Sequence, residues 1–118
     1  MVNIQKRRRK LEALYEAYNR RDVAAMVADL DPQAEWMDML QGVPIKGREA
    51  IGAYWTAQFK LMDIEVSPLT FDPLPDGRMV VTAAQTMKKP DGTLWGNERV
   101  THVITFGKDG LILRMDPS

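Results

Sequence analysis

The residue pattern predicts a single α+β domain, with helices first and an antiparallel sheet after them. Up to Met62 the apolar residues recur at helical spacing, whereas from Asp63 onward they alternate and are punctuated by turns such as "KPDGT" and "GKDG". A chain of 118 residues has the length for one core and not for two. Helices gathered against an antiparallel sheet are the packing that such an order allows.

Taken in order, Leu11, Leu14, Tyr15 and Tyr18 fall at i, i+3, i+4 and i+7, one apolar stripe of an amphipathic helix. The basic run Lys6 to Lys10 precedes the stripe. Positive charge opposes the dipole at a helix start, so residues 1–10 are expected to be a solvated, frayed end. A break at "NRRD" follows, and Asp22 caps a second helix in which Val23, Met26, Val27 and Leu30 repeat the spacing until Pro32 stops it. Residues 34–39 read as a brief strand with Trp36 and Asp38 on one face and Glu35, Met37 and Met39 on the other. "GVPIKG" reads as a loop. The stretch "REAIGAYWTAQFKLM" then places Ile51, Tyr54, Trp55, Phe59 and Met62 on one helical face, with Gly52 weakening the helix by roughly 1 kcal/mol. Strands are expected at 63–72, 78–89, 94–107 and 111–116. A two-residue turn at Asp91-Gly92 would put Val81, Ala83 and Gln85 on the face that carries His102, Val100 and Glu98.

Composition removes several kinds of chemistry. The chain has no cysteine and a single histidine, His102, so disulfides, thiolate catalysis and multi-histidine metal sites are excluded. Sixteen basic and 16 acidic residues leave none of the positive excess of a general nucleic-acid binder. No apolar run approaches the ~20 residues of a membrane span. The expectation is a cytoplasmic protein without metal or cofactor and without a nucleic-acid or membrane partner.

The succession of two helices, a short strand with Trp36-x-Asp38, a "GREAI" helix start and strands ending in "FGKDGLI" resembles the SnoaL-like branch of the nuclear transport factor 2-like superfamily. "NRRDVAAMVADL", "KGREAIGAYW" and "THVITFGKDGLI" carry the resemblance, which runs from about Leu11 to Asp116. It implies a cone-shaped, strongly curved antiparallel sheet whose concave side, closed by the N-terminal helices, encloses an apolar cavity. The general base of the family's ketosteroid isomerases falls on Asp38, their oxyanion tyrosine on Leu14, and their oxyanion acid, aligned through Phe106 and Gly110, on His102. Of the epoxide hydrolase residues Arg99 and Asp116 have counterparts, while Thr101 stands where an acid would be wanted.

With a cavity implied, Asp38 acquires a chemical reason. A carboxylate in an apolar pocket loses stabilisation of its charge and becomes a better proton acceptor. Removing a proton beside a carbonyl also needs a donor for the developing oxyanion, and His102 is the first candidate, ahead of Tyr15, Tyr18 and the Trp55 indole. The expected cavity wall adds Leu14 and Trp36; Tyr54 and Phe59 from the third helix; and Val81, Gln85, Val100 and Met115 from the sheet. Asp38 could equally hydrogen-bond backbone in the following loop, and His102 could be an ordinary core histidine. The favoured function is proton transfer on a small hydrophobic carbonyl compound, isomerase-, cyclase- or lyase-like. The alternatives are a non-catalytic carrier for such a ligand and a protein-interaction module. The resemblance further implies a homodimer through the outward face carrying Arg99, Thr101, Val103 and Thr105.

Overall fold

The computed structural model describes residues 3–38 and 41–117. The stripe of Leu11, Leu14, Tyr15 and Tyr18 lies on helix α1, Ile4–Arg20, whose start is capped by the Asn3 side chain accepting from the Lys6 amide at 3.0 Å. Lys6 to Lys10 therefore sit in the opening turns of the helix and are not frayed. What orders them is what they cover. Arg7 lies 4.7 Å over the Phe106 ring and donates to the Gly77 carbonyl, Arg8 lies 5.1 Å over Phe71 and pairs with Glu12, and Lys10 pairs with Asp29. Long basic side chains can lay an apolar stem or a guanidinium face on such rings while keeping charge near water.

Helix α1 stops at Arg21, which takes a left-handed conformation (φ 62°, ψ 30°) costing about 1–2 kcal/mol for a residue with a Cβ. Its guanidinium donates to the Tyr18 carbonyl at 3.0 Å, pairs with Asp63 and lies 4.9 Å over Phe59, contacts that hold the strained position. Asp22 then caps α2, Val23–Ala28, by accepting from the Ala25 amide. This helix is shorter than the spacing predicts. Leu30, fully buried, already belongs to strand β1, Leu30–Met37. Pro32 biases the residue before it away from helical angles, so the chain turns extended earlier than its own position.

Helix α3, Arg48–Leu61, buries Ile51, Gly52 and Trp55. A Cβ on Gly52 would stand 3.1 Å from the Val27 side chain. The weak helix former is the one that lets α2 approach α3.

The six strands are ordered β2-β1-β6-β5-β4-β3. Strand β2, Pro44–Lys46, lies in the expected "GVPIKG" loop, long enough only to pair with the end of β1. The others are β3, Asp63–Pro73, β4, Met79–Lys88, β5, Leu94–Phe106, and β6, Ile112–Pro117. All neighbours are antiparallel except β1 and β6, which run parallel through Leu30↔Ile112 and Trp36↔Met115, so the sheet is mixed where an antiparallel one was expected. The last residue of the expected strand 34–39, Met39, lies outside the described residues.

The β4–β5 pairing is Val81↔His102, Ala83↔Val100 and Gln85↔Glu98, as predicted, though by a different route. The connection closes with the Lys89 amide donating to Thr93, one residue longer than a two-residue turn, and the ladder skips Trp95 to recover the register. Register also shifts within β3–β4, β5–β6 and β1–β6. Such bulges bend strands, here around the core on which the helices rest.

Strands β3 and β2 form the two edges. On β3 the backbone of Val66 is met by the side chain of Asn19, whose Nδ2 donates to the Val66 carbonyl at 3.0 Å and whose Oδ1 accepts from the Val66 amide at 2.9 Å. One amide side chain thus imitates a strand neighbour and pins the end of α1 to the sheet edge. Asn19→Ala should lose roughly 2 kcal/mol in urea unfolding because it strands two half-buried backbone groups. Asn19→Asp keeps only the acceptor and should fall between; equal stability of all three would refute the clamp.

Candidate functional site

Between the helices and the inner face of the sheet lies a cavity of about 70 Å³. Helix α1 supplies Leu14, Tyr15 and Tyr18, α2 supplies Met26, and α3 supplies Tyr54, Trp55 and Gln58. The sheet closes it with Trp36, Val66, Gln85, His102 and Met115, one residue from every strand but β2. Trp36 and Trp55 meet edge to face at 5.0 Å, fixing the junction of β1 and α3. The lining side chains include no carboxylate, lysine or arginine among the described residues. No acidic, histidine or cysteine cluster able to hold a metal ion occurs among those residues either, and no helix is long and apolar enough to cross a membrane.

Two hydrogen-bonded sets of polar residues, and Gln85 besides, interrupt this apolar wall. In the first, the Tyr15 hydroxyl and His102 Nδ1 are 2.9 Å apart with the two rings nearly parallel. Burial pushes the His102 pKa down to about 4 and raises that of Tyr15, so both are neutral at neutral pH. Either sharing of the proton leaves the pair one donor. If the phenol donates to Nδ1, Nε2 carries its N–H; if Nδ1–H donates to the phenol oxygen, the O–H is left.

In the second, the Tyr18 hydroxyl donates to Gln58 Oε1 at 2.9 Å and Gln58 Nε2 donates to the Tyr54 hydroxyl at 3.3 Å. Burial raises the Tyr18 pKa as well, so this chain of groups is also uncharged. Gln85 donates weakly to Glu98 at 3.4 Å.

The cavity thus gathers Leu14, Tyr15, Tyr18, Trp36, Tyr54, Trp55, Gln85, His102 and Met115 of the residues expected there. Phe59, Val81 and Val100 do not line it. Phe59 packs behind Tyr18, ring centroids 4.9 Å apart, while Val81 is buried in the core and Val100 packs against it. Asp38 stands just past the end of β1. Its Oδ1 accepts from the Gln41 amide at 3.2 Å, and its backbone closes the same loop through Gly42 and Val43; it is not among the lining residues.

Met26, Gln58 and Val66 also line the cavity and were not anticipated. Gln58 had one available signal, its i+4 spacing from Tyr54 on α3; nothing local to the sequence could pair it with Tyr18.

Protonating His102 costs more in the folded protein than in the unfolded chain, so its folded pKa lies below the unfolded value. Stability is therefore complete above pH 6.5 and falls as the pH drops toward 4. Between pH 7 and pH 5 the wild type should lose about 2 kcal/mol from this group. His102→Gln should lose little over the same interval. Urea melts of both proteins check this, and parallel pH profiles would refute a buried neutral imidazole.

The SnoaL-like domain model matches residues 11–115. No curated protein matches the chain in sequence. Among solved structures, the epoxide hydrolase/cyclase-like enzyme SalBIII, studied for pyran ring formation in the polyether salinomycin, is 23% identical with a TM-score of 0.86, over 99% of this chain and 92% of its own. A putative polyketide cyclase from Sinorhizobium meliloti is 24% identical with a TM-score of 0.78, covering 92% of this chain and 93% of its own. A Mycobacterium tuberculosis protein in complex with estradiol-17beta-hemisuccinate is 16% identical with a TM-score of 0.80, over 92% of this chain and 88% of its own. At these identities the neighbours speak for the fold: an NTF2-like α+β cone with its cavity between helices and sheet. With nearly its whole length matched by the domain model, the chain belongs to the SnoaL-like family.

Proposed function

We propose that the cavity binds a small, largely hydrophobic carbonyl compound and that the protein catalyses proton transfer on it, in an isomerase-, cyclase- or lyase-like reaction. The observation carrying this reading is the Tyr15–His102 pair, a neutral donor set in an apolar wall. A neutral imidazole or phenol aimed at a carbonyl oxygen stabilises the charge that develops when a neighbouring C–H is deprotonated, and it acts strongly where water is scarce. Tyr15 and His102 are engaged with each other as the donor set, so the reaction calls for a separate base. Asp38 is the candidate base, two residues beyond the cavity-lining Trp36. That SalBIII is a cyclase-like enzyme and that another neighbour binds a steroid ester supports a hydrophobic, oxygen-bearing ligand.

A second reading, a non-catalytic carrier for the same kind of molecule, is favoured by one observation. Asp38 spends its Oδ1 on the loop amide of Gln41. Nitrobenzisoxazole separates the two, because a base that removes its ring C–H opens the N–O bond to a coloured phenolate. On the enzymatic reading the wild type turns it over and Asp38→Asn, which retains an Oδ1 acceptor for the loop, is slower by at least ~10²-fold with a similar melting temperature. Wild-type turnover no faster than that of Asp38→Asn would leave the carrier reading.

The outward face of β5, where Thr101 and Val103 are half-buried and Arg99 is exposed, is proposed to join two copies of the chain. Light scattering should give twice 13.4 kDa at micromolar concentration. A particle of single-chain mass would remove this proposal.

A further inference from the structure

Gln58 is held at both ends of its amide. Tyr18 donates to its oxygen and Tyr54 accepts from its nitrogen, so the amide plane is fixed by two side chains from two different helices. An amide has two N–H donors and an oxygen with two lone pairs. After these two bonds one N–H and one lone pair are left, on a residue that lines the cavity. Because each hydroxyl can donate or accept, either orientation of the amide keeps both bonds and leaves one N–H over. The cavity therefore has two polar poles held by hydrogen bonds between side chains, the Tyr15–His102 pair and the Gln58 amide, besides Gln85, which is turned to Glu98; Leu14, Met26, Val66 and the two tryptophans are among the apolar surface they share.

We infer that the ligand carries acceptor oxygens at two separated positions of an uncharged apolar skeleton, one taken by Tyr15–His102 and the other by the Gln58 N–H. This rests on the reading of the cavity as a binding site for carbonyl compounds and narrows its ligand class. Neutrality follows from the walls. Both poles are uncharged at neutral pH and the described lining residues offer no counter-ion, so a buried ionic ligand would keep its desolvation cost. Tyr18 and Tyr54 are positioning residues. They hold the Gln58 amide in place between them.

The poles can be probed with a matched pair of small neutral rings, cyclohexanone and cyclohexane-1,4-dione. Binding is followed by the shift of the His102 imidazole signals in NMR, a reporter that lies in one pole and is not altered by changes at the other. In the wild type both should bind, the dione about three- to tenfold more tightly, the range expected for one added hydrogen bond. Gln58→Met, close in length and without the amide, should lose the preference and bind the two rings about equally. Tyr18→Phe, which leaves the amide present but held at one end, should reduce it.

Equal binding of the two rings by the wild type overturns the two-pole inference while sparing the carbonyl-binding reading. A preference that survives in Gln58→Met overturns the assignment to Gln58. Failure of both rings to bind the wild type overturns the carbonyl-binding reading and the inference with it.

Discussion

The clamp between Asn19 and the backbone of Val66 is the contact on which the site's geometry turns. It fixes the end of α1 against the edge of the sheet. Tyr15 and Tyr18, about one turn or less upstream on the same helix, are thereby set in height and rotation, and Val66 lines the cavity with them. A side-chain amide is suited to this task because its donor and acceptor are spaced like those of a peptide group. Arg21 reinforces the clamp from the next turn. It accepts a left-handed backbone in return for reaching Tyr18, Phe59 and Asp63, so one strained residue links α1, α3 and β3.

Much of this was legible in the sequence where the signal is local and periodic. The Leu11–Tyr18 stripe, the Asp22 cap, the aromatic face of α3 and the pairing of Val81 with His102 all follow from spacing. The last came out right because two irregularities cancel: a connection longer by one residue and a bulge at Trp95. What spacing could not give are features decided by partners far along the chain. Leu30 continues the helical spacing of α2 but is taken by the strand because Ile112 waits opposite it. β2 exists only because β1 offers it an edge, and the parallel join of β1 to β6 is a matter of topology that no window of sequence contains.

The site divides along the same line. Most of the residues expected at the cavity from helical or alternating spacing line it, whereas Val81 is buried in the core with Val100 packed against it, and Phe59 shares the periodicity of its neighbours and is diverted to pack behind Tyr18. Gln58 is the converse case, a polar residue drawn in by hydroxyls on either side. The basic N-terminal run shows how composition misleads in isolation. Its charges are for the most part already engaged by Phe106, Phe71, Glu12 and Asp29.

The two borders of the sheet have a consequence for solubility. An open strand edge is a template for adding another chain's strand, the first step of edge-to-edge aggregation. Here β2 is only three residues long and begins with a proline, while β3 carries Pro68 within it and has the Val66 groups covered by Asn19. Neither border offers a foreign strand a long, unobstructed ladder. The margins of this six-stranded sheet are thus poor templates for edge-to-edge growth.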